Sequence, residues 1–173
     1  DLNGHNLTYT GKTTVTFSGS GKEATITDTS VSGSERGGTL IAKGDWGIGQ
    51  SVFEIVGATL NVSNINIEST GCVFYPRNNG VELNISNCDV TTSGIYCVST
   101  NAGDSAHYGV SINIVGSSLT ADAENKDDCA VMINVSGSLN IEDSVITGNR
   151  QGVFARAGDV SNCNWRVGRP KRE

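Results

Sequence analysis

Residues 83–90 read Leu83-Asn84-Ile85-Ser86-Asn87-Cys88-Asp89-Val90, and this phrase returns along the chain with different letters and the same pattern. Further copies begin at Leu60, Ile112 and Leu139. The aligned asparagines are 23, 29 and 27 residues apart, at Asn61, Asn84, Asn113 and Asn140. A repeat of this size that is built on strand-like alternation indicates a solenoid.

Each phrase contains two short alternating stretches with a slip between them. In the copy at 83–90, Leu83 and Ile85 share one side, and the alternation then shifts by one residue at Asn87. Period-two alternation places one side of a strand inward and the other outward. The position at which the alternation shifts holds residue types that tolerate left-handed backbone, namely Asn64, Asn87, Gly116 and Asp143. Each phrase therefore predicts two strands joined by a one-residue left-handed bend.

A third apolar stretch lies between consecutive phrases and usually follows a glycine. The copies are Gly71-Cys72-Val73-Phe74, Gly94-Ile95-Tyr96-Cys97, Asp128-Cys129-Ala130-Val131 and Gly152-Val153-Phe154-Ala155. Each period thus predicts about three strands, and coiling them stacks every strand on its equivalent one rung away, at roughly 4.8 Å. We predict an all-β solenoid of parallel sheets whose inward residues form columns.

This pattern resembles the right-handed parallel β-helix of the pectin-lyase-like superfamily, through the phrase at 83–90 and the glycine-led strand that follows it. The resemblance covers nearly the whole chain. It implies one domain over residues 1–165, a single-stranded right-handed parallel β-helix of about seven rungs. Bacterial surface and secreted repeat proteins share this fold with lyases, hydrolases, adhesins and inert spacers, so the resemblance implies a fold and leaves the activity open.

Charge is distributed unevenly along the 173 residues, whose net charge is −6. The last eight residues, 166–173, form a basic tail, which we interpret as a solvated end or a binding arm. The remaining chain is acidic and would repel nucleic acid phosphates, so no nucleic acid partner is expected. No stretch is long and apolar enough for membrane insertion, and no feature defines an oligomeric state.

The chain opens inside a repeat, at Asp1-Leu2-Asn3, without a capping helix. A solenoid end exposes unpaired strand edges and an open core, which native proteins cover. We therefore expect a segment of a longer secreted or cell-surface protein, or a cap supplied by another element.

Five cysteines are present, at positions 72, 88, 97, 129 and 163, and no C-x-x-C pair occurs. A zinc site therefore has little support. Alignment of the repeats predicts one inward column of Cys72 and Cys129 with Ile95 and Val153, and another of Cys88 with Cys163. We interpret the cysteines as small apolar core residues, with a disulfide between Cys97 and Cys129 as the alternative to inspect.

The outward side chains of the glycine-led strands are the candidate binding surface. Alternation predicts that Tyr75, Tyr96 and Phe154 form an exposed stripe, with cationic neighbours at Arg77 and Arg156. Rings stack on sugar faces and arginines bind carboxylates, so the stripe predicts contact with a polysaccharide or other glycan. The alternative is that the rings stack on one another for stability.

An acidic loop borders the same strand. Asp122, Glu124, Asp127 and Asp128 offer oxygen ligands for calcium, and the alternative is a solvated acidic loop. No other cofactor is indicated.

Asp127-Asp128-Cys129 resembles the paired-aspartate element of polygalacturonases, which implies an acid and a base across a glycosidic bond. The other elements of that family are missing. Ser93-Gly94-Ile95 has no carboxylate where the family has one, and Arg150-Gln151-Gly152 has no histidine.

Two functional hypotheses follow. The first is a non-catalytic segment of a larger secreted or cell-surface protein, which spaces domains or contacts glycans. The second is a fragment of a polysaccharide lyase or glycoside hydrolase of the pectin-degrading type, with Asp127 and Asp128 as its catalytic residues.

Overall fold

The computed structural model of the protein describes residues 1–11, 13–44, 46, 50–78, 80–100, 109–123, 128–156 and the backbone of 162–165. Within these residues every regular element is a β-strand, and 18 strands form three six-stranded sheets. All the pairings between neighbouring strands are parallel. The all-β class and the parallel sheets are therefore as predicted.

The three sheets take every third strand of the chain. Sheet A contains β1 (Leu7–Thr10), β4 (Thr39–Lys43), β7 (Asn66–Ser69), β10 (Asp89–Thr92), β13 (Ser118–Ala121) and β16 (Val145–Gly148). Sheet B contains β2 (Val15–Ser18), β5 (Ser51–Val56), β8 (Cys72–Arg77), β11 (Val98–Ser99), β14 (Cys129–Ile133) and β17 (Gln151–Ala155). Sheet C contains β3 (Glu23–Thr27), β6 (Thr59–Ser63), β9 (Glu82–Ser86), β12 (Val110–Val115), β15 (Gly137–Glu142) and β18 (Asn162–Trp165). Three successive strands, one in each sheet, thus form one rung.

The bend between sheets C and A has the left-handed backbone that the sequence predicts. The φ angles are positive at the four predicted bend residues, Asn64 (58°), Asn87 (50°), Gly116 (57°) and Asp143 (47°). Residues with a Cβ rarely adopt this region, and asparagine, aspartate and glycine do so at the lowest cost. Asp28 occupies the same position of its rung, before the longer loop to β4, and does not have positive φ. The prediction of a one-residue left-handed bend is confirmed.

Inward residues form apolar columns that run through the stacked rungs. In sheet C one column consists of Leu60, Leu83, Ile112 and Leu139, each at most 3% exposed. In sheet A the equivalent column contains Leu40, Ile67, Val90 and Leu119. Because each column member packs on the same type of residue above and below it, the core continues from rung to rung without a break.

The cysteine columns differ from the predicted alignment. Cys129 pairs with Gln151, whereas Val153 pairs with Val131. Cys163 pairs with Leu139, so it does not share a column with Cys88.

Ile95 is also absent from the column of Cys72, and one extra residue before β11 explains this correction. Phe74 and Val98 are partners, yet Phe74 follows the end of β7 by five residues and Val98 follows the end of β10 by six. Because of this extra residue, Tyr96 lies two positions before Val98. Cys72 likewise lies two positions before Phe74, so its column contains Tyr96 and not Ile95. Asn162 is inside strand β18, opposite Ser138, and is not a bend residue, so Cys163 follows a strand position and not a bend.

The predicted core role of the cysteines is supported by their burial. Cys88, Cys97 and Cys129 are at most 2% exposed, and all four cysteines with described side chains are free thiols. Desolvation raises the pKa of the Cys88 and Cys129 thiols to about 11 and that of Cys72 to about 12. These thiols are therefore weak nucleophiles at neutral pH.

Candidate functional site

The outward face of sheet B carries the residues that the sequence singled out for binding. Its central row consists of Glu54, Tyr75, Ser99, Met132 and Phe154. Tyr96 is not part of this row, because it precedes Ser99 by three residues. The extra residue before β11 shifts Tyr96 out of register with the other two rings.

The central part of this row is covered. Ser99 is 5% exposed and Met132 is 4% exposed, whereas Tyr75 and Phe154 are half-buried. Val73 and Ala130, which alternation also predicts to point outward, are fully buried. The structure therefore separates the rings at 75 and 154 and does not join them in one continuous exposed stripe.

Arg77 lies beside Tyr75 and has a carboxylate partner within the protein. Its Nη1 is 2.7 Å from Glu54 Oε1, and the other carboxylate oxygen of Glu54 accepts a hydrogen bond from the Thr16 hydroxyl at 3.2 Å. Glu54 is directly opposite Tyr75 in the sheet. Sequence reasoning missed Glu54, although it is the residue before Ile55 in an alternating strand, one rung from Tyr75. An anionic ligand for Arg77 would have to compete with this ion pair.

The second ring has its own cationic neighbours. The Arg150 guanidinium carbon is 5.9 Å from the centre of the Phe154 ring, a distance that suits a cation–π contact. Arg156 is exposed at the end of the same strand, where its backbone N–H donates to the Ile133 carbonyl at 2.7 Å. Arg150 was not among the predicted residues, and its distance from Phe154 in sequence gave no signal of the contact.

Asp128 is the described member of the predicted aspartate pair, and it is fully buried. Its Oδ1 accepts hydrogen bonds from the backbone N–H groups of Asn149 (2.7 Å) and Arg150 (3.3 Å). Its Oδ2 accepts from the backbone N–H of Ala123 (2.8 Å) and from Asn149 Nδ2 (3.1 Å). Both oxygens are thus engaged by protein donors, and the carboxylate ties the segment before β14 to the turn before β17.

The other acidic candidates are distributed differently. Asp122 is exposed, and its Oδ1 accepts a hydrogen bond from Asn149 Nδ2 at 3.3 Å. Glu124 and Asp127 lie outside the described residues. In the part of the chain that the structure describes, no group of three or more His, Cys, Asp or Glu side chains is placed to hold a metal ion.

A second buried carboxylate, at Asp28, escaped the sequence analysis. It is fully buried in the bend slot of its rung. Hydrogen bonds from the Ser30 hydroxyl and from the backbone N–H groups of Gly38 (2.7 Å) and Gly4 (2.8 Å) hold the pKa of this carboxyl well below its usual range. A Cβ on Gly37 would collide with the Asp28 side chain. Asp28 therefore closes the long loop before β4, as Asp128 closes the loop before β14.

The outward face of sheet C carries a ladder of asparagines. Asn84 Nδ2 donates to Asn61 Oδ1 at 2.8 Å, and Asn113 Nδ2 donates to Asn84 Oδ1 at 2.8 Å. Asn140 and Asn164 continue the same row in the strand register. Asn61, Asn84 and Asn113 thus join three consecutive rungs through their side chains.

No protein-family model matches the chain, and no curated protein or solved structure matches it either. In the part of the chain that the structure describes, no helix has the length and apolarity that are needed to span a membrane.

Proposed function

We propose that this chain is a non-catalytic β-solenoid segment of a larger secreted or cell-surface protein, in which it acts as a rigid spacer that also contacts glycans. We further propose that the coil is right-handed, as nearly all parallel crossover connections are, and that it is a pectin-lyase-like β-helix of about seven rungs. The 18 strands of the described residues form six of these rungs.

One observation carries the spacer proposal, namely the unbroken register of the three parallel sheets. Sheet A pairs continuously from β1 to β16, so its six strands span about 24 Å at the usual strand spacing. Apolar columns run through the stacked rungs, and asparagine side chains also join Asn61 to Asn84 and Asn84 to Asn113. Such an arrangement keeps its two ends at a fixed separation, because each rung is held by its two neighbours.

The glycan contact belongs to two separate surfaces. The first contains Tyr75 and Arg77 with Glu54 beside them, and the second contains Phe154, Arg150 and Arg156. Each has a ring for a sugar face and a guanidinium for a carboxylate, and at the first surface a ligand carboxylate would compete with Glu54 for Arg77. Acidic oligosaccharides are therefore the ligand class that we propose, with Tyr96 excluded from both surfaces because of its register.

A fragment of a polysaccharide lyase or glycoside hydrolase is the second candidate, and the adjacent Asp127 and Asp128 favour it. Acid–base cleavage needs one protonated and one ionised carboxyl on the two sides of the bond. The burial of Asp128 and its four protein donors support the non-catalytic proposal instead, because a substrate could not reach this carboxylate.

Incubation with polygalacturonate and related acidic polymers, with and without calcium, tests the first proposal. We expect neither reducing ends nor unsaturated products. Release of either product that is lost in an Asp127→Asn variant would overturn the proposal and promote the enzyme.

Glycan contact is tested separately by calorimetry with acidic oligosaccharides. We expect Tyr75→Ala or Phe154→Ala to weaken binding, and Thr147→Ala, on an outward row of sheet A, to leave it unchanged. Equal binding by all three variants would contradict a role for the two surfaces.

A further inference from the structure

The first rung leaves part of its core exposed. Leu7 belongs to the inward column of sheet A and is 52% exposed, whereas its column partners Leu40 and Ile67 are 6% and 1% exposed. In sheet B, Val15 is 41% exposed, and its partner Phe53 is 4% exposed. Residues that are core elsewhere in the coil are therefore open at this end.

The other exposed aliphatic side chains have a different origin. Val115 (39% exposed) is level with Ser86 on an outward row of sheet C, and Val145 (58% exposed) is level with Ser118 on an outward row of sheet A. Scattered aliphatic residues on a surface need no partner. Leu7 and Val15 differ because the members of their columns are buried in the next four rungs.

The strand edges at this end are also open. Among the described residues, β1, β2 and β3 each pair on one side only, with β4, β5 and β6. An edge strand presents unpaired N–H and C=O groups that accept another strand. Three such edges lie at the same end of the coil, one for each sheet.

We propose that the edge formed by β1, β2 and β3 is a stacking face for a further rung of parallel β-solenoid with apolar inward residues above Leu7, Val15 and Ala24. The inference rests on the proposed function, since it identifies where the larger protein would join this segment. Continuity with the existing interfaces between rungs supports this occupant. A helix would cover the core and pair with no strand, and a single extended peptide would pair with one sheet of the three.

The bend geometry defines how such a rung would connect. Leu2 N donates to the Thr27 carbonyl at 2.8 Å, just as Asn87 N donates to the Val115 carbonyl at 3.0 Å. Leu2 therefore occupies the bend position of its rung. We consider a fusion in which a copy of residues 64–86 replaces Asp1. Ser86 of the copy would then precede Leu2, just as Ser86 precedes the bend residue Asn87 in the chain. Register then places Ile67 of the copy over Leu7, Phe74 over Val15 and Leu83 over Ala24.

The decisive experiment compares this fusion with a matched control that carries Ile67→Asp and Phe74→Asp in the copy only. We expect the first fusion to raise the midpoint of thermal unfolding by about 4 °C or more and to slow amide exchange in Leu7–Thr10 and Val15–Ser18 by about tenfold or more. The control should do neither. Equal behaviour of the two fusions would overturn the proposal.

A second copy of the chain is the competing occupant, and sedimentation of the unfused protein over a range of concentrations detects it. Association that Leu7→Glu abolishes and Val145→Glu preserves would assign the face to a second copy and overturn the proposed occupant. If the fusion behaves like its control, the stacking proposal is wrong and the proposed non-catalytic function is unaffected. If the protein cleaves a polymer, the non-catalytic function is wrong and the result of the fusion experiment is unaffected.

Discussion

The side-chain amide of Asn87 donates a hydrogen bond to Asn64 Oδ1 at 3.0 Å, and both residues have left-handed backbone in consecutive bends of the coil. The same amide donates to the Glu35 carbonyl at 2.8 Å. Asn87 thus combines a backbone role, a contact between rungs and an anchor for the loop between β3 and β4.

Replacing Asn87 separates these roles. Asn87→Gly keeps the backbone freedom and loses the amide, whereas Asn87→Val loses both. We expect the free energy of unfolding to fall further for valine than for glycine, by about 1 kcal/mol or more, because β-branched residues resist positive φ. Urea denaturation measures both variants, and equal losses would contradict a left-handed bend.

Asp28 should make the stability of the fold depend on pH in the acid range. Its pKa is lowered in the folded protein by the Ser30 hydroxyl and by backbone donors, and an unfolded aspartate titrates near 3.9. The unfolded chain therefore binds more protons as the pH falls, so the contribution of Asp28 is complete above about pH 4 and declines below it.

The test is the free energy of unfolding of wild type and Asp28→Asn from pH 7 to pH 2. We expect the variant to be less stable at pH 7 and the difference to shrink as the pH falls below about 4. Asp122→Asn, at an exposed site, is the control. A difference that stays constant with pH would show that the ionised form of Asp28 is not what stabilises the fold.

Asp128 should stabilise the folded protein. Asp128→Ala removes the acceptor for the N–H groups of Ala123 and Asn149, and leaving buried donors unsatisfied costs about 1–3 kcal/mol. Asp122→Ala should change stability by less than about 0.5 kcal/mol. Thermal or urea unfolding gives both values. A stable Asp128→Ala variant would return this carboxylate to the list of functional candidates.

The buried cysteines should resist thiol reagents in the folded state. In a Cys163→Ser background, Cys88, Cys97 and Cys129 should react only after denaturant is added, and reductant should not change stability. The thiolate fraction of Cys88 and Cys129 stays small until the pH approaches their pKa of about 11. Rapid labelling of native Cys88 or Cys129 at pH 8 would show that the inward placement is wrong.

The fold was predictable where the signals are local. Alternation marks the strands, and the residue types at positions 64, 87, 116 and 143 mark the bends, because positive φ is a property of single residues. The register of sheet B was harder to predict. One extra residue before Val98 shifts Tyr96 away from Tyr75, and a one-residue shift moves a side chain to the other face.

The candidate site was only partly predictable for a similar reason. The positions of Tyr75 and Phe154 on outward rows follow from alternation, but alternation does not predict the burial of Met132, which is 4% exposed, between them. The role of Asp128 depends on donors from Asn149, which lies in the next rung. This tertiary contact has no signature in the residues near Asp128.

The extended coil itself is tested most directly by distances between spin labels on one outward row of sheet A. Thr8, Thr120 and Thr147 belong to this row, which rises one strand per rung. Labels at positions 8 and 147 should be about 24 Å apart, and labels at positions 8 and 120 about 19 Å apart. In a stacked parallel coil the first distance exceeds the second by one strand spacing. Equal distances, or a shorter separation for 8 and 147, would contradict the stacked parallel coil.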